Sequence, residues 1–458
     1  MRNALSTLVV ASIFVAPSLL ADSFQDTVSS YGPTKTLAGI HQATTTNPDG
    51  SAINFWSPTF ENQPATSAIL SNPHMADADA YGNVYIADKA SDAVLKITTD
   101  GLIHTFAGTH VDGFNGDGPA PANTLHISQP NGLYVLPNGV VYLLDPGNHR
   151  IRRVGLDGQM TTVVNDTDPN WKSSGRALWV SSDEKAIYYT HEYPAVAPSA
   201  VANGAVLKRW TQLNGIETIL SRSVGLTNPA NLDLNPIDGK LYLCDRAEED
   251  ASRLEQGVFR IDGVNQRTRV TGDANQPVAS DGQLAINSFI EQPRGIAFQR
   301  DGSYFVCGHK DGNVWFVDTS GILHKYLSGS GRKDGYSLPD GATPPLLAAT
   351  YFAQPRAVTI APNGNLLVVS NDSGFVFQVQ NIAPSSATNL SLQISGRNID
   401  LRWATRADRG YRVESSDEIS NTNWQPISAI QGTNGVAEFM IPDAAGASQR
   451  FYRVSPSL

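Results

Sequence analysis

Gln129-Pro130-Asn131-Gly132 opens a segment that continues as Leu-Tyr-Val, a Pro-Asn-Gly turn, Val-Val-Tyr-Leu-Leu-Asp145, Gly-Asn-His-Arg, Ile-Arg-Arg-Val and an Asp-Gly turn, and ends in Met-Thr-Thr-Val-Val164. Apolar, β-branched and aromatic residues come in short runs, and Asn, Asp, Gly and Pro separate them at hairpin spacing. The segment reads as four short antiparallel strands, with no helical periodicity to compete. Working outward, the same series starts again at Asn72-Pro73, Asn228-Pro229, Gln292-Pro293 and Gln354-Pro355, with a degenerate copy at Ser174-Gly175-Arg176. Turn residues recur in step: Tyr81-Gly82-Asn83, Asp238-Gly239, Asp301-Gly302 and Asn363-Gly364 fall between the first and second strands. A module recurring six times is a repeat architecture.

One such sheet cannot bury both faces alone, so the copies must stack, and stacking in a ring leaves few open edges. Counting strands tests this. Outer fourth strands are expected at 104–108, 160–164, 216–220, 268–272 and 324–329, while the sixth copy stops after 374–379 without one. Lys35-Thr-Leu-Ala-Gly39, ahead of the first module, resembles His104-Thr-Phe-Ala-Gly108 and supplies the missing strand. The fold expected is all-β: a six-bladed β-propeller closed by an N-terminal strand, followed by a small C-terminal β-sandwich.

Pro-Asn-Gly, Val-Tyr-Leu-Leu-Asp145 and Gly-Asn-His-Arg-Ile-Arg-Arg-Val resemble the NHL repeat, and the resemblance spans residues 31–382. Inter-blade loops at Asp49-Gly50, Gly113-Phe-Asn-Gly-Asp-Gly118, Asp281-Gly282 and Asp340-Gly341 are also alike, and such Asp-Gly segments shape turns. Beyond Ala383-Pro384-Ser385-Ser386, strand-like runs at 389–394, 398–403, 411–416, 424–428, 436–441 and 450–454 mark a second domain, residues 385–458. It resembles a fibronectin type III-like module, with Trp403 and Tyr411 as core markers.

Residues 1–21 read as a signal peptide: Arg2, a largely apolar run from Leu8 to Leu20, and a small residue, Ala21, before the cut. The apolar run is shorter than the ~20 residues a bilayer core needs, and no other segment could span a membrane. The reading is a secreted or periplasmic protein cleaved near Ala21. Charged residues make up 17% and the net charge is −10, without acidic or basic blocks, which argues against a nucleic-acid partner. Cys244 and Cys307 are too few for a disulfide framework and hold equivalent places in successive repeats, so free buried thiols are expected.

Inner strands of a propeller converge on a central channel, where side chains from every blade can meet. The residue after each module's Pro, or its equivalent, is His74, Asn131, Arg176, Ala230, Arg294 and Arg356 in turn. Three arginines and a histidine would make a positive focus suited to a carboxylate, sulfate or phosphate, since arginine offers a planar fork of donors. The alternative is that these side chains pair with the repeat's Asp residues or lie in solvent at the rim. Ligand-binding candidates are thus His74, Asn131, Arg176, Arg294 and Arg356.

Asn72-Pro73-His74 resembles the pattern of peptidyl-hydroxyglycine amidating lyase, whose zinc-binding histidines follow a Pro at strand starts, but the other positions lack His. Pro130-Asn131-Gly132 and Asn231 resemble the strand that gives an Asn ligand to the divalent cation of gluconolactonase-like lactonases, whereas His74 stands where that family has Glu. These resemblances imply a calcium or zinc ion as the alternative, with His74, Asn131 and Asn231 as metal candidates. No cofactor is expected otherwise. Asp112, Asn115 and Asp117 miss the spacing of a calcium loop and read as a turn. Asp88, Asp145 and Asp245 end second strands and read as hairpin caps. His149 belongs to the repeat's own turn, while His191-Glu192 and His309-Lys310 fill that turn in degenerate blades and are expected exposed on one face. No nucleophile elbow, phosphate-binding glycine loop or Cys/His metal spacing is present, so catalytic residues are unknown. The function expected is binding or scaffolding, with an anionic ligand, a glycan or a protein as partner; the alternative is a metal-dependent lactonase or lyase.

Overall fold

Each repeat forms a sheet because its apolar runs alternate with turns tight enough to reverse the chain within a few residues. The computed structural model describes residues 24–41, 52–171, 175–193, 204–246, 256–329, 340–347, 354–382, 388–395, 398–404, 410–416, 424–431, 436–442 and 450–457. The expected signal peptide, Asp49-Gly50, Ser174 and the Ala383–Ser386 linker lie outside the described residues. The described chain divides into two units, Asp22–Asn381 and Ile382–Leu458.

Six antiparallel sheets make up the first unit. From inner to outer strand, blade one is Pro73–Ala78, Val84–Asp88, Ala93–Ile97 and Leu102–Gly108; blade two is Gly132–Val135, Val141–Asp145, Arg150–Val154 and Gln159–Asn165. Blade three is Leu178–Val180, Ala186–Glu192, Ala205–Thr211 and Gly215–Leu220; blade four is Pro229–Leu234, Leu241–Asp245, Gly257–Gly263 and Gln266–Arg269. Blade five is Pro293–Phe298, Tyr304–Gly308, Asn313–Val317 and Leu323–Ser328. Blade six is Pro355–Ile360, Leu366–Ser370 and Phe375–Asn381, with Tyr31–Ala38 as its outer strand. That N-terminal strand pairs antiparallel with Phe375–Asn381, Lys35 opposite Gln378. The outer strand of blade four, expected at 268–272, runs over Gln266–Arg269; Val270 still donates to Val258 of the neighbouring strand, and Gly272 turns away to bond Ala285.

Packing closes the ring. Every large apolar cluster of this unit joins two adjacent blades: one with two, two with three, three with four, four with five, five with six and six with one. Burying one Leu, Phe or Ile side chain contributes about 1.5–3 kcal/mol, so the inter-blade seams dominate the stability. Cys244 and Cys307 are buried free thiols within two of these seams.

Buried carboxylates tie the loops to the sheets. At the ends of second strands, Asp88, Asp145 and Asp245 accept the backbone N–H groups of Ser71, Ser128 and Asn228 at 2.9, 2.7 and 2.7 Å, fixing the loop that leads into the inner strand. The Asp-Gly loops act on the opposite edge of blades two, five and six. Asp281 and Asp340 accept the N–H of Lys325 and Thr36 in outer strands at 2.8 and 2.6 Å, and Asp117 accepts the Thr162 hydroxyl at 2.7 Å.

Sequence patterning gives no sign of the helix Phe24–Ser30, which precedes the closing strand. Phe24 stacks on His324 at 4.4 Å and tilts against Phe316 at 6.0 Å, so tertiary contact holds it.

The second unit holds two three-stranded antiparallel sheets. One orders Thr388–Ser395, Asn398–Ala404 and Val436–Ile441; the other orders Gln425–Gln431, Gly410–Ser416 and Phe451–Ser457. Leu401 and Trp403 of the first share one apolar cluster with Tyr411, Val413 and Tyr452 of the second.

Candidate functional site: a cationic pocket in the propeller channel

Ladder pairing explains why the post-Pro residue reaches the axis. In blade one Pro73 pairs with Asp88 and Met75 with Ala87, so His74 is the extra residue of a β-bulge. Ala230, Arg294 and Arg356 occupy the same bulge in blades four, five and six. A bulge re-aims the strand's side chains, and here it sends consecutive residues into the channel. His74, Met75, Asn131, Arg176, Ala230, Asn231, Arg294, Arg356 and Ala357 line one small cavity. All five expected ligand-binding residues are therefore brought together, and Asn231 joins them. The Nδ2 of Asn231 meets the Met75 sulfur at 3.6 Å, linking blades four and one within that lining.

Glycines let the inner strands come this close. A Cβ on Gly132 would stand 2.4 Å from the Arg176 carbonyl oxygen in the next blade, and one on Gly295 would stand 2.5 Å from the Val358 nitrogen. Pro-Asn-Gly and Pro-Arg-Gly thus combine a pocket residue with a packing residue.

The polar partners are unevenly distributed. Arg176 donates to Glu192 at 2.8 Å and to Asn228. Arg356 donates to Asn371 at 3.1 Å, and the His74 ring bonds Asn131. Arg294 is 5% exposed and its side chain makes a long 3.4 Å bond to Gln292. Among the described residues its Nε and Nη1 have no partner, nor do the Nε atoms of Arg176 and Arg356. The expected alternative, pairing with the repeat's Asp residues or exposure at the rim, is not what these side chains do. Arginine donors are buried round the axis and left partly unsatisfied, which costs free energy unless something accepts from them.

Electrostatics agree with the geometry. Burial, reinforced by Arg246, Arg356 and Arg176, pushes the Arg294 pKa well below its ordinary value. Burial also pushes Arg356 well down, together with Arg176 and Arg246, against the opposing pull of Asp372 and Glu192. An arginine keeps its proton in a protein, so these directions reflect buried cations crowded against one another, with Asp372 and Glu192 offsetting them in part. His74 is driven well below its usual range by burial, then by Arg356, Lys89 and Arg176, and is neutral at physiological pH.

Lys89 and Arg246 are not among the residues the sequence singles out, and His309 is expected on an exposed turn rather than near the cationic cluster. Each follows the last residue of its second strand, after Asp88, Asp245 and Gly308, so one repeat position supplies all three. Lys89 is lowered to about 7 by burial and by Arg176 and Arg356. His309 is pushed well down by burial, then by Arg294, Arg356 and Arg246. Its spacing could have been read alongside the post-Pro positions.

Other sequence candidates have structural roles. Asn115 accepts the His126 N–H at 2.7 Å, and Asp117 is held by Arg150 at 2.8 Å, so with Asp112 they belong to a turn. His149 takes a left-handed turn conformation, φ 55°, and stacks on Trp171 at 5.3 Å. Contrary to expectation, His191, Glu192 and His309 are buried, because the chain there is strand or channel wall rather than an exposed turn; Lys310 is exposed. Among the described residues no three His, Cys, Asp or Glu side chains gather as a metal site. Nor is any described helix long and apolar enough to cross a membrane.

No family model and no curated protein matches this chain. Solved structures do. A protein of unknown function from Bacteroides thetaiotaomicron is 17% identical over 76% of this chain and 75% of that one, with a TM-score of 0.54. An auxiliary nutrient binding protein from Bacteroides ovatus is 14% identical over 76% and 77%, TM-score 0.53. A gluconolactonase from Xanthomonas campestris is 14% identical over 80% and 98%, TM-score 0.45. At such identities the likeness is one of fold. The class is an all-β six-bladed propeller. This chain is one whose channel carries a buried arginine cluster.

Proposed function

We propose that this chain is an exported binding protein whose propeller channel holds an anionic ligand. The observation that carries the reading is Arg294, buried with two guanidinium nitrogens unpartnered among the described residues and lining one cavity with Arg176 and Arg356. A carboxylate, sulfate or phosphate group would accept those N–H groups in charge-assisted bonds. The Arg2 start and the apolar run from Leu8 to Leu20 support export to the periplasm or outside the cell. The C-terminal unit, with two small sheets over a Trp403–Tyr411 core, suits a fibronectin type III-like module adding a protein or glycan contact.

The residues fit a divalent cation poorly. His74 and Asn131 bond each other, Asn231 faces Met75, and the wall around them is basic. Thermal unfolding of the purified protein against small anions, calcium and zinc tests the reading. Anions are expected to raise the transition temperature of the parent and not of Arg294→Gln. Stabilisation by stoichiometric metal, with none by anions, would favour the metal-dependent lactonase or lyase instead.

A further inference from the structure

Charge and direction in the pocket narrow the class of ligand, an argument that rests on the anion-binding reading. Five basic side chains act on one another here: Arg176, Arg294 and Arg356 in the wall, with Arg246 and Lys89 beside them. Two carboxylates oppose them, Glu192 and Asp372, and Glu192 is already engaged by Arg176. A single negative charge leaves most of that repulsion standing. Two charges relieve more of it, and at short range in a partly desolvated site the difference is large.

Direction matters as much as charge. Arg176, Arg246, Arg294 and Arg356 come from blades three, four, five and six, four of the six round the axis. The unpartnered nitrogens belong to Arg176, Arg294 and Arg356, three residues that line one cavity from different blades. A carboxylate presents its lone pairs in one plane at one end of a molecule, which suits one or two forks from the same side. A tetrahedral group with oxygens in every direction accepts from donors spread round a ring. Met75 and Asn231, in contact with each other, belong to the same lining.

We infer that the ligand group is a compact tetrahedral oxyanion carrying two negative charges, a phosphate or a sulfate, in preference to a carboxylate. Either a free ion or the terminal group of an ester presents this chemistry at the mouth.

Isothermal titration of the purified protein at constant ionic strength and neutral pH tests it, using sulfate, inorganic phosphate, phenyl phosphate, acetate and succinate. Sulfate or a phosphate species should bind once per chain, about tenfold or more tighter than either carboxylate. Arg356→Gln and Arg294→Gln, each first shown to unfold as cooperatively as the parent, should each lose about tenfold of that affinity. Phenyl phosphate binding as tightly as phosphate would identify an ester as the ligand, and rejection of phenyl phosphate a free ion. Acetate or succinate binding as tightly as the tetrahedral ions would overturn this inference and leave the anion-binding function standing. No binding by any of the five would overturn both.

Discussion

Lys89 shows how one residue shapes the pocket's response to pH. Arg176, Arg356 and Arg246 repel its charge, Glu192 attracts it, and burial is the largest cause of its fall to about 7. His74 and Asp92 also feel its field. Below about pH 7 the ammonium is charged and adds to the attraction for an anion; above it the group is neutral and the attraction weakens. Sulfate keeps its charge throughout, so its affinity is expected to fall by about tenfold between pH 6 and pH 9. Lys89→Arg should bind sulfate with a flat profile, as titration calorimetry at several pH values would show. Stability of the unliganded protein moves the other way. An unfolded lysine holds its proton to about pH 10.4, so between pH 7 and 10 the unfolded chain binds more protons, and this group's contribution to stability rises with pH. The repeat spacing showed Arg294 and its counterparts in the sequence, because Arg294 and Arg356 follow a Pro and Arg176 holds the same place after Gly175. Lys89 and Arg246 escaped notice, and His309 was read as an exposed turn, because their common position, one residue past a strand end, becomes visible when the second strand is laid beside the first.

At the scale of the element, the inner strand joins recognition to packing. The bulge at the post-Pro residue turns His74, Arg294 and Arg356 to the axis, and the following Gly132 or Gly295 admits the neighbouring blade. Gly132→Ala and Gly295→Ala should each cost about 1–3 kcal/mol in denaturant unfolding, since backbone rather than a flexible side chain blocks the added methyl group. An unchanged midpoint would mean that the blades stand farther apart than described. Strands and hairpins were legible because period, turn residues and β-branched runs all agreed in the strong copies. The helix Phe24–Ser30 was not, as its seven residues are too few for a periodic signal and its place depends on His324 and Phe316. Blade four's outer strand was placed with its end too far along the chain, because Gly272 bonds Ala285 beyond the last ladder pair.

For the whole molecule, closure by Tyr31–Ala38 joins the start of the propeller to its last blade. A disulfide between Lys35→Cys and Gln378→Cys, residues paired across that seam, should stabilise the entire ring by about 2–4 kcal/mol. A single calorimetric transition moving upward would show that the ring unfolds as one unit, whereas an unmoved main transition would show that blade six opens independently. The ring itself was legible because strand counting left one blade short by one strand and the N-terminus long by one. The pocket's charge was only half legible: sequence placed three arginines at the axis, but their burial and missing partners arise from packing between blades, which no spacing reveals. The central claim is that this channel is built to hold an anion. Anomalous diffraction at the selenium edge from crystals of the protein grown with selenate tests it most directly. The account predicts a peak within hydrogen-bond distance of Arg294 Nε and Nη1, between Arg176 and Arg356. Selenate found on surface side chains alone, with the Arg294 nitrogens satisfied by protein groups, would contradict it.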